Sequence, residues 1–147
     1  MSLEELLVEH QKEATRAKDK FRLKVIRNLR AELKNAAIAK KAPLSDEEEL
    51  TVLAREVKQR QESLADYERA GRPELLEELK KEIELLRQYL PEQLGEEELR
   101  KLIDEAISQT GAGSLKDLGR VMGWLMPRVK GRAEGSAVRR LVEQKLK

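Results

Sequence analysis

The sequence predicts an all-α protein, and three observations support that class. Apolar residues recur at spacings of three and four in every long segment, which is the period of an amphipathic helix. No segment sustains the alternation of polar and apolar residues that a half-buried strand requires. Charged residues make up 39% of the chain and aromatic residues only 3%. Such a composition favours helices packed around an aliphatic core.

Helix-start signals mark the first three predicted helices. Ser2 and Glu5 have the spacing of a capping box, in which a hydroxyl and a carboxylate each accept from the other residue's backbone N–H. Asp19 is a suitable N-cap for a second helix, because its side chain can accept from a free amide of the first turn. Ser45 and Glu48 repeat the capping-box spacing and begin a long third helix.

The third and fourth helices are predicted to form an antiparallel hairpin over residues 45–90. Gly71 suits the end of the third helix, and Pro73 suits the first turn of the fourth. The fourth helix carries its apolar residues at alternating spacings of three and four, which gives a narrow seam for its long neighbour. These residues are Leu76, Leu79, Ile83, Leu86 and Leu90.

The motif YLPEQLGEEEL predicts a domain boundary between Pro91 and Gly95. Proline prevents helical continuation, and the glycine followed by three glutamates restarts a helix with acids at its positive end. We therefore predict an N-terminal helical hairpin or bundle domain, residues 1–92, and a small C-terminal three-helix domain, residues 93–147. The second of these is close to the lower size limit for independent folding.

The middle helix of the C-terminal domain contains two glycines four residues apart, Gly119 and Gly123. Each costs roughly 0.5–1 kcal/mol relative to alanine inside a helix, so something is expected to approach the backbone there. A partner helix is one explanation and a nucleic-acid backbone is the other. The glycines lie beside a predicted core stripe, which consists of Leu115, Leu118, Met122, Leu125 and Met126.

Pro127 is predicted to end this helix and to leave RVKGRAEG as a tight basic connection. Gly131 and Gly135 permit positive φ and are expected to expose backbone N–H groups beside the start of the last helix. Three basic side chains surround them, namely Arg128, Lys130 and Arg132. Phosphate binding requires this combination, although an ordinary solvent-exposed turn has the same features.

Charge is divided unevenly along the chain. Residues 1–41 contain 11 Lys/Arg and 6 Asp/Glu, residues 42–110 contain 10 and 19, and residues 111–147 contain 9 and 3. The ends are therefore basic and the middle is acidic. There is no cysteine, no apolar run long enough to span a bilayer, and no basic flank of a signal peptide at the start. These features predict a cytoplasmic protein that does not bind membranes.

No catalytic residue, metal ligand or cofactor site is predicted. The chain lacks a phosphate-binding loop motif and has one histidine, His10, on an apolar helix face, where a packed boundary side chain is expected. The acidic clusters at 46–49 and 96–98 occupy first turns of helices, and adjacent positions point in different directions around a helix.

Three motifs in order, LSDEEELTVLAREVKQRQESLADYERAGRPEL, YLPEQLGEEEL and GRVMGWLMPRVKGRAEGSAV, resemble the GatB/YqeY family in its free-standing form. The resemblance covers essentially the whole chain. It implies an all-helical fold in two parts, and the C-terminal part resembles the tail of the B subunit of the glutamine-dependent aspartyl/glutamyl-tRNA amidotransferase. The resemblance assigns carbon–nitrogen ligase activity to the complete bacterial enzyme. Trp124 departs from the family pattern.

Three functions follow as hypotheses. The first is a tRNA-binding module without catalytic activity of its own, associated with an aminoacyl-tRNA synthetase or with amidotransferase subunits. The second is an accessory subunit of an amidotransferase whose partner supplies every catalytic group. The third is a protein-interaction module that docks through the acidic hairpin 45–90. The predicted tRNA-binding residues are Lys116, Gly119, Arg120, Gly123, Arg128, Lys130, Gly131, Arg132, Arg139 and Arg140.

Overall fold

The computed structural model describes residues 1–147 and confirms the all-α class. Seven α-helices and one 3₁₀ turn follow one another without a strand. They are α1 Leu3–Arg16, α2 Lys20–Lys40, α3 Asp46–Ala70, α4 Pro73–Arg87, α5 Glu96–Thr110, the 3₁₀ turn Leu115–Asp117, α6 Leu118–Val129 and α7 Gly135–Leu146. No helix combines the length and apolarity needed to cross a bilayer.

The Cα positions form two compact units, Met1–Leu90 (unit 1) and Pro91–Lys147 (unit 2). The break falls two residues before the predicted limit of the N-terminal domain. Whether each unit folds by itself stays a prediction.

The N-terminal caps of unit 1 are formed largely as expected. Asp19 accepts from the backbone N–H of Arg22 at 3.0 Å, and Ser45 and Glu48 form a complete capping box. The predicted Ser2–Glu5 box is only half formed: Ser2 Oγ accepts from the backbone N–H of Glu5 at 3.2 Å, and the reciprocal bond from the Ser2 N–H to the Glu5 carboxylate is absent. The Glu4 backbone N–H, also at the start of α1, donates to Oε2 of the buried Glu49 in α3.

Unit 1 is built around the packed pairs α1–α2 and α3–α4, and α2 also contacts α3 and α4. Gly71 ends α3 and Pro73 occupies the first turn of α4, as predicted. His10 is half-buried at the edge of the core, with Nδ1 2.5 Å from the Tyr89 hydroxyl. The core consists of Leu7, Val25, Ile26, Leu29, Leu33, Val52, Leu53, Val57, Ile83 and Leu86.

Unit 2 packs α5, α6 and α7 around a second aliphatic core. Gly95 is the N-cap and Gly111 the C-cap of α5, and Ser114 with Asp117 forms a capping box at the 3₁₀ turn. The buried residues are Leu99, Ile103, Ala106, Val121, Leu125, Val129, Val138, Val142 and Leu146.

Two predictions for α6 are wrong. Leu115 is 45% exposed. It lies in the 3₁₀ turn before α6 and so does not continue the helical stripe. Leu125 is buried as predicted, and Leu118, Met122 and Met126 pack half-buried against the core of unit 2, whereas the other fully buried residues of α6 are Val121 and Val129. Pro127 also does not end the helix, which continues to Val129. Its position in the last turn limits the disruption to one missing hydrogen bond, that to the exposed Gly123, where water can replace it.

Candidate nucleic-acid interface

Gly119 and Gly123 lie on the exposed face of α6, away from its buried stripe. A Cβ atom placed on either glycine would meet no atom within 4 Å. No helix of unit 2 therefore packs against them, and packing within unit 2 does not explain why side chains are absent. Pro127, four residues further on, is also exposed. Because residues four apart share a helix face, the three form one row, here named the glycine strip.

A second row runs beside the glycine strip, one residue further along the chain, through Arg120, Trp124 and Arg128. The Arg128 guanidinium carbon lies 3.7 Å from the centroid of the Trp124 ring, a distance typical of a cation–π contact. Arg128 Nη1 also donates to the Trp124 carbonyl oxygen. Trp124 itself is half-buried against the core of unit 2. The guanidinium is thus held flat at the edge of the glycine strip.

Arg120 contacts the connection between α5 and α6 within unit 2. Its Nη2 lies 2.6 Å from Oδ1 of Asp117, and Nη1 donates to the Thr110 carbonyl oxygen at 3.1 Å. The other carboxylate oxygen of Asp117 accepts from the backbone N–H of Gly113 at 2.8 Å. That hydrogen bond, with the Arg120 contact second, lowers the pKa of Asp117. Arg120 therefore stabilises the connection between α5 and α6 as well as contributing charge.

The basic turn after α6 differs from the expectation of exposed amides. Gly131 has a φ of +74°, as predicted, whereas Gly135 is the first residue of α7 and its φ is not positive. The amides on either side of Gly131 are already used: Lys130 donates to Met126 O, and Arg132 and Ala133 both donate to Val129 O. The left-handed glycine allows the chain to fold back on the last carbonyls of the helix, as helix ends commonly do.

Arg132 also has a structural role that its sequence position did not indicate. Its Nε donates to the Glu92 carbonyl oxygen at 3.1 Å, and its carbonyl oxygen accepts from the Leu94 N–H at 2.9 Å. Gln93 Nε2 donates to the Gly131 carbonyl oxygen at 2.7 Å. These three bonds tie the first residues of unit 2 to the basic turn.

The N-terminus of α7 is not an open anion site. Its N-cap is Glu134, which adds negative charge at the positive end of the helix. The carboxylate accepts from the Ser136 hydroxyl at 2.8 Å. Lys130, which was predicted to bind phosphate here, is half-buried and has an interaction within the chain.

The ten predicted residues comprise three glycines, described above, and seven basic residues. Five of the basic residues have interactions within the chain, namely Arg120, Arg128, Lys130, Arg132 and Arg139, the last with Glu143 at 3.2 Å. Lys116 and Arg140 are exposed. The Arg128–Trp124 stacking was missed, although its signal, a spacing of four on one helix, was present in the sequence.

Two comparisons with known proteins bear on the family. A family model described as "Yqey-like protein" matches residues 4–146. A relative from the fungus Pyrenophora tritici-repentis (strain Pt-1C-BFP), "Altered inheritance of mitochondria protein 41, mitochondrial", is 31% identical over 127 residues. The aligned region covers 85% of this chain and 70% of the relative. The chain belongs to the YqeY-like protein family.

Proposed function

We propose that this protein is a tRNA-binding module, in which the glycine strip of α6 lets the RNA backbone approach closely and the neighbouring cations contact its phosphates. The observation that carries the proposal is the open space above Gly119 and Gly123. The resemblance of this segment to the tail of a tRNA amidotransferase subunit indicates which nucleic acid to test first.

The two glycines of α6 have an energetic cost. Gly123, in the middle of the helix, lowers helix stability by roughly 0.5–1 kcal/mol relative to alanine, and Gly119, in the first turn, by less. A glycine in a helix interior is commonly explained by a close neighbour, and here the chain supplies none within 4 Å. The remaining physical reason is the approach of another molecule to the helix backbone.

The cations at this surface suit phosphates. Arg128 is held beside the glycine strip by Trp124, and exposed Lys116 lies in the 3₁₀ turn that precedes α6. Fixed and mobile cations beside a flat surface attract a polyanion through counterion release. In this proposal the chain binds tRNA as an accessory to an amidotransferase or an aminoacyl-tRNA synthetase. Its residues form or break no covalent bond.

Fluorescence anisotropy with labelled bulk tRNA tests the proposal. With about four phosphate contacts, affinity should fall on the order of 100-fold between 50 and 200 mM salt, since the log–log slope is roughly −0.7 to −0.9 per contact. The variant that replaces Lys116 and Arg128 with Glu should bind at least about tenfold more weakly and show a shallower slope. These exposed positions avoid Arg132, whose loss would disturb the fold.

A matched control has the same charge change away from α6. Replacing Lys80 and Lys81, both exposed on α4, with Glu alters the net charge equally. Equal loss of affinity in both variants would indicate nonspecific attraction and would contradict the assigned surface. Absence of tRNA binding at low micromolar concentration would reject the proposal and favour docking of a protein partner on the acidic hairpin 45–90.

A further inference from the structure

The segment from Lys20 to Lys41 contains eight Lys/Arg residues and a single acid, Glu32. The structure divides these cations into two groups of four. One group is paired: Arg22 with Glu13 at 3.6 Å, Lys24 with Glu78 at 2.9 Å, Arg30 with Glu4 at 2.9 Å, and Lys40 with Glu48. These pairs hold α2 to α1 and α4 and to the start of α3.

The other four cations are Lys20, Arg27, Lys34 and Lys41, here named the heptad row. They are exposed and recur every seventh residue. None of them takes part in an ion pair with a carboxylate of the chain. Seven residues are almost two helical turns, so Lys20, Arg27 and Lys34, which belong to α2, lie about 10.5 Å apart in turn and drift only about 20° around the helix. Lys41 follows as the C-cap residue with a left-handed φ of 64°. The helical part of the row is about 21 Å long.

The surroundings of the heptad row contain no available carboxylate. Glu32 lies roughly 150° around the helix from it, at 100° per residue. Arg27 and Lys34 border an open cleft that also contains Glu4 and Glu49. Glu4 is paired with Arg30, and Glu49 is buried with Oε2 accepting from the Glu4 N–H. The free cations of α2 thus have no partner to neutralise them within the chain.

The exposed side chains about 40° around α2 from the row are apolar, namely Ala31 and Ile38. Asn28 and Asn35 are also exposed but lie about 100° from the row, in clefts that they share with Glu32. A protein helix packed on this face would bury the cations of the row in its seam, which is costly for unpaired charges. A membrane would find only Ile38 to bury. A polyanion suits the face better, because it can contact the cations while their surroundings stay hydrated.

We propose that the heptad row is a phosphate-binding surface for the backbone of RNA, separate from the glycine strip and located in unit 1. The choice of RNA rests on the proposed function, whereas the existence of an anion-binding face rests on the row itself. Contacts of this kind position the RNA and carry no sequence information.

The test uses the full chain and labelled bulk tRNA. Replacing Lys20, Arg27 and Lys34 with Glu should raise the Kd at least tenfold at low salt and reduce the log–log salt slope by about two to three units, the contribution of three phosphate contacts. The milder K20Q/R27Q/K34Q variant should change affinity in the same direction, and circular dichroism should show unchanged helicity for both. The matched control replaces Lys80, Lys81 and Lys101 with Glu, three exposed lysines that lie outside α2.

The outcomes separate this inference from the proposed function. If the α2 variant binds tRNA as tightly as the wild type while the Lys116/Arg128 variant is weakened, the heptad row is excluded and the glycine strip stands. If only the α2 variant is weakened, the heptad row is the RNA site and the proposed role of α6 is wrong. Vesicles of phosphatidylcholine with phosphatidylserine provide a separate arm. Row-dependent vesicle binding without row-dependent RNA binding would overturn the assignment to RNA.

Discussion

Arg132 Nε donates a hydrogen bond of 3.1 Å to the carbonyl oxygen of Glu92, a residue 40 positions earlier in the chain. This bond explains why residue 132 is an arginine. The explanation does not depend on phosphate binding. A side chain that fixes the first segment of unit 2 is a poor target for testing nucleic-acid contacts, since its replacement changes structure and charge together.

Arg132→Ala should lower the free energy of unfolding of unit 2 by about 1 kcal/mol, the usual net value of one hydrogen bond. Trp124 is the only tryptophan in the chain, so its fluorescence during urea denaturation reports unit 2 directly. Arg140→Ala removes an exposed arginine of α7 and is the matched control. Equal midpoints for the two variants would show that the Arg132 contact does not contribute.

The segment before α5 should decide whether unit 2 folds alone. A fragment of residues 91–147 keeps the bonds from Leu94 N–H to Arg132 O and from Gln93 Nε2 to Gly131 O. A fragment of residues 96–147 loses both, together with the packing of Leu94 on the core. We expect the longer fragment to unfold cooperatively and the shorter one to be clearly less stable by circular dichroism. Similar melting of the two would contradict the structural role of residues 91–95.

Asp117 should make unit 2 sensitive to acid. The Gly113 N–H and Arg120 lower its pKa below the usual 3.8, so the folded state favours the ionised carboxylate. Its contribution to stability is complete above the unfolded pKa and is lost as the pH falls through the lower folded pKa. Asp117→Asn should therefore lower the urea midpoint at pH 7 and reduce the change in midpoint below about pH 4. Glu105→Gln, at an exposed position of α5, is the control; an identical acid response would contradict the assignment.

Local signals in the sequence were sufficient to predict the helix starts of unit 1. Asp19 and the Ser45–Glu48 box act within three or four residues, so their spacing alone identifies them. The Arg132–Glu92 bond has no such signature, because its acceptor is a backbone carbonyl present at every residue. The exposure of Leu115 was also missed, since the 3₁₀ turn takes this residue out of phase with α6.

Removing Arg60 alone should strongly destabilise unit 1. Its side chain is 17% exposed and lies 3.3 Å from Glu56 and 3.8 Å from Glu82, both 12% exposed. Arg60→Leu leaves two shielded carboxylates without their cation and should cost about 3 kcal/mol in thermal or urea unfolding. Replacing all three residues with Leu should recover much of that loss, because no charge then remains buried. Arg55→Leu, at an exposed site on the same helix, should have little effect; a loss as large as that of Arg60→Leu would contradict the argument.

Gly119→Ala and Gly123→Ala should separate stability from binding. Neither glycine has a positive φ, and neither added Cβ would meet an atom within 4 Å. Gly123→Ala should therefore stabilise α6 by roughly 0.5–1 kcal/mol, as alanine does in a helix interior, and Gly119→Ala, in the first turn, should stabilise it by less. If the RNA backbone approaches the glycine strip, the same methyl groups should weaken tRNA binding in the more stable protein. Urea denaturation followed at Trp124 measures the gain in stability, and fluorescence anisotropy measures tRNA affinity.

Gly95→Ala, at an N-cap position with open space around it, tests whether any glycine replacement affects binding. Stabilised variants that bind tRNA with unchanged affinity would show that the open face of α6 is not the contact surface.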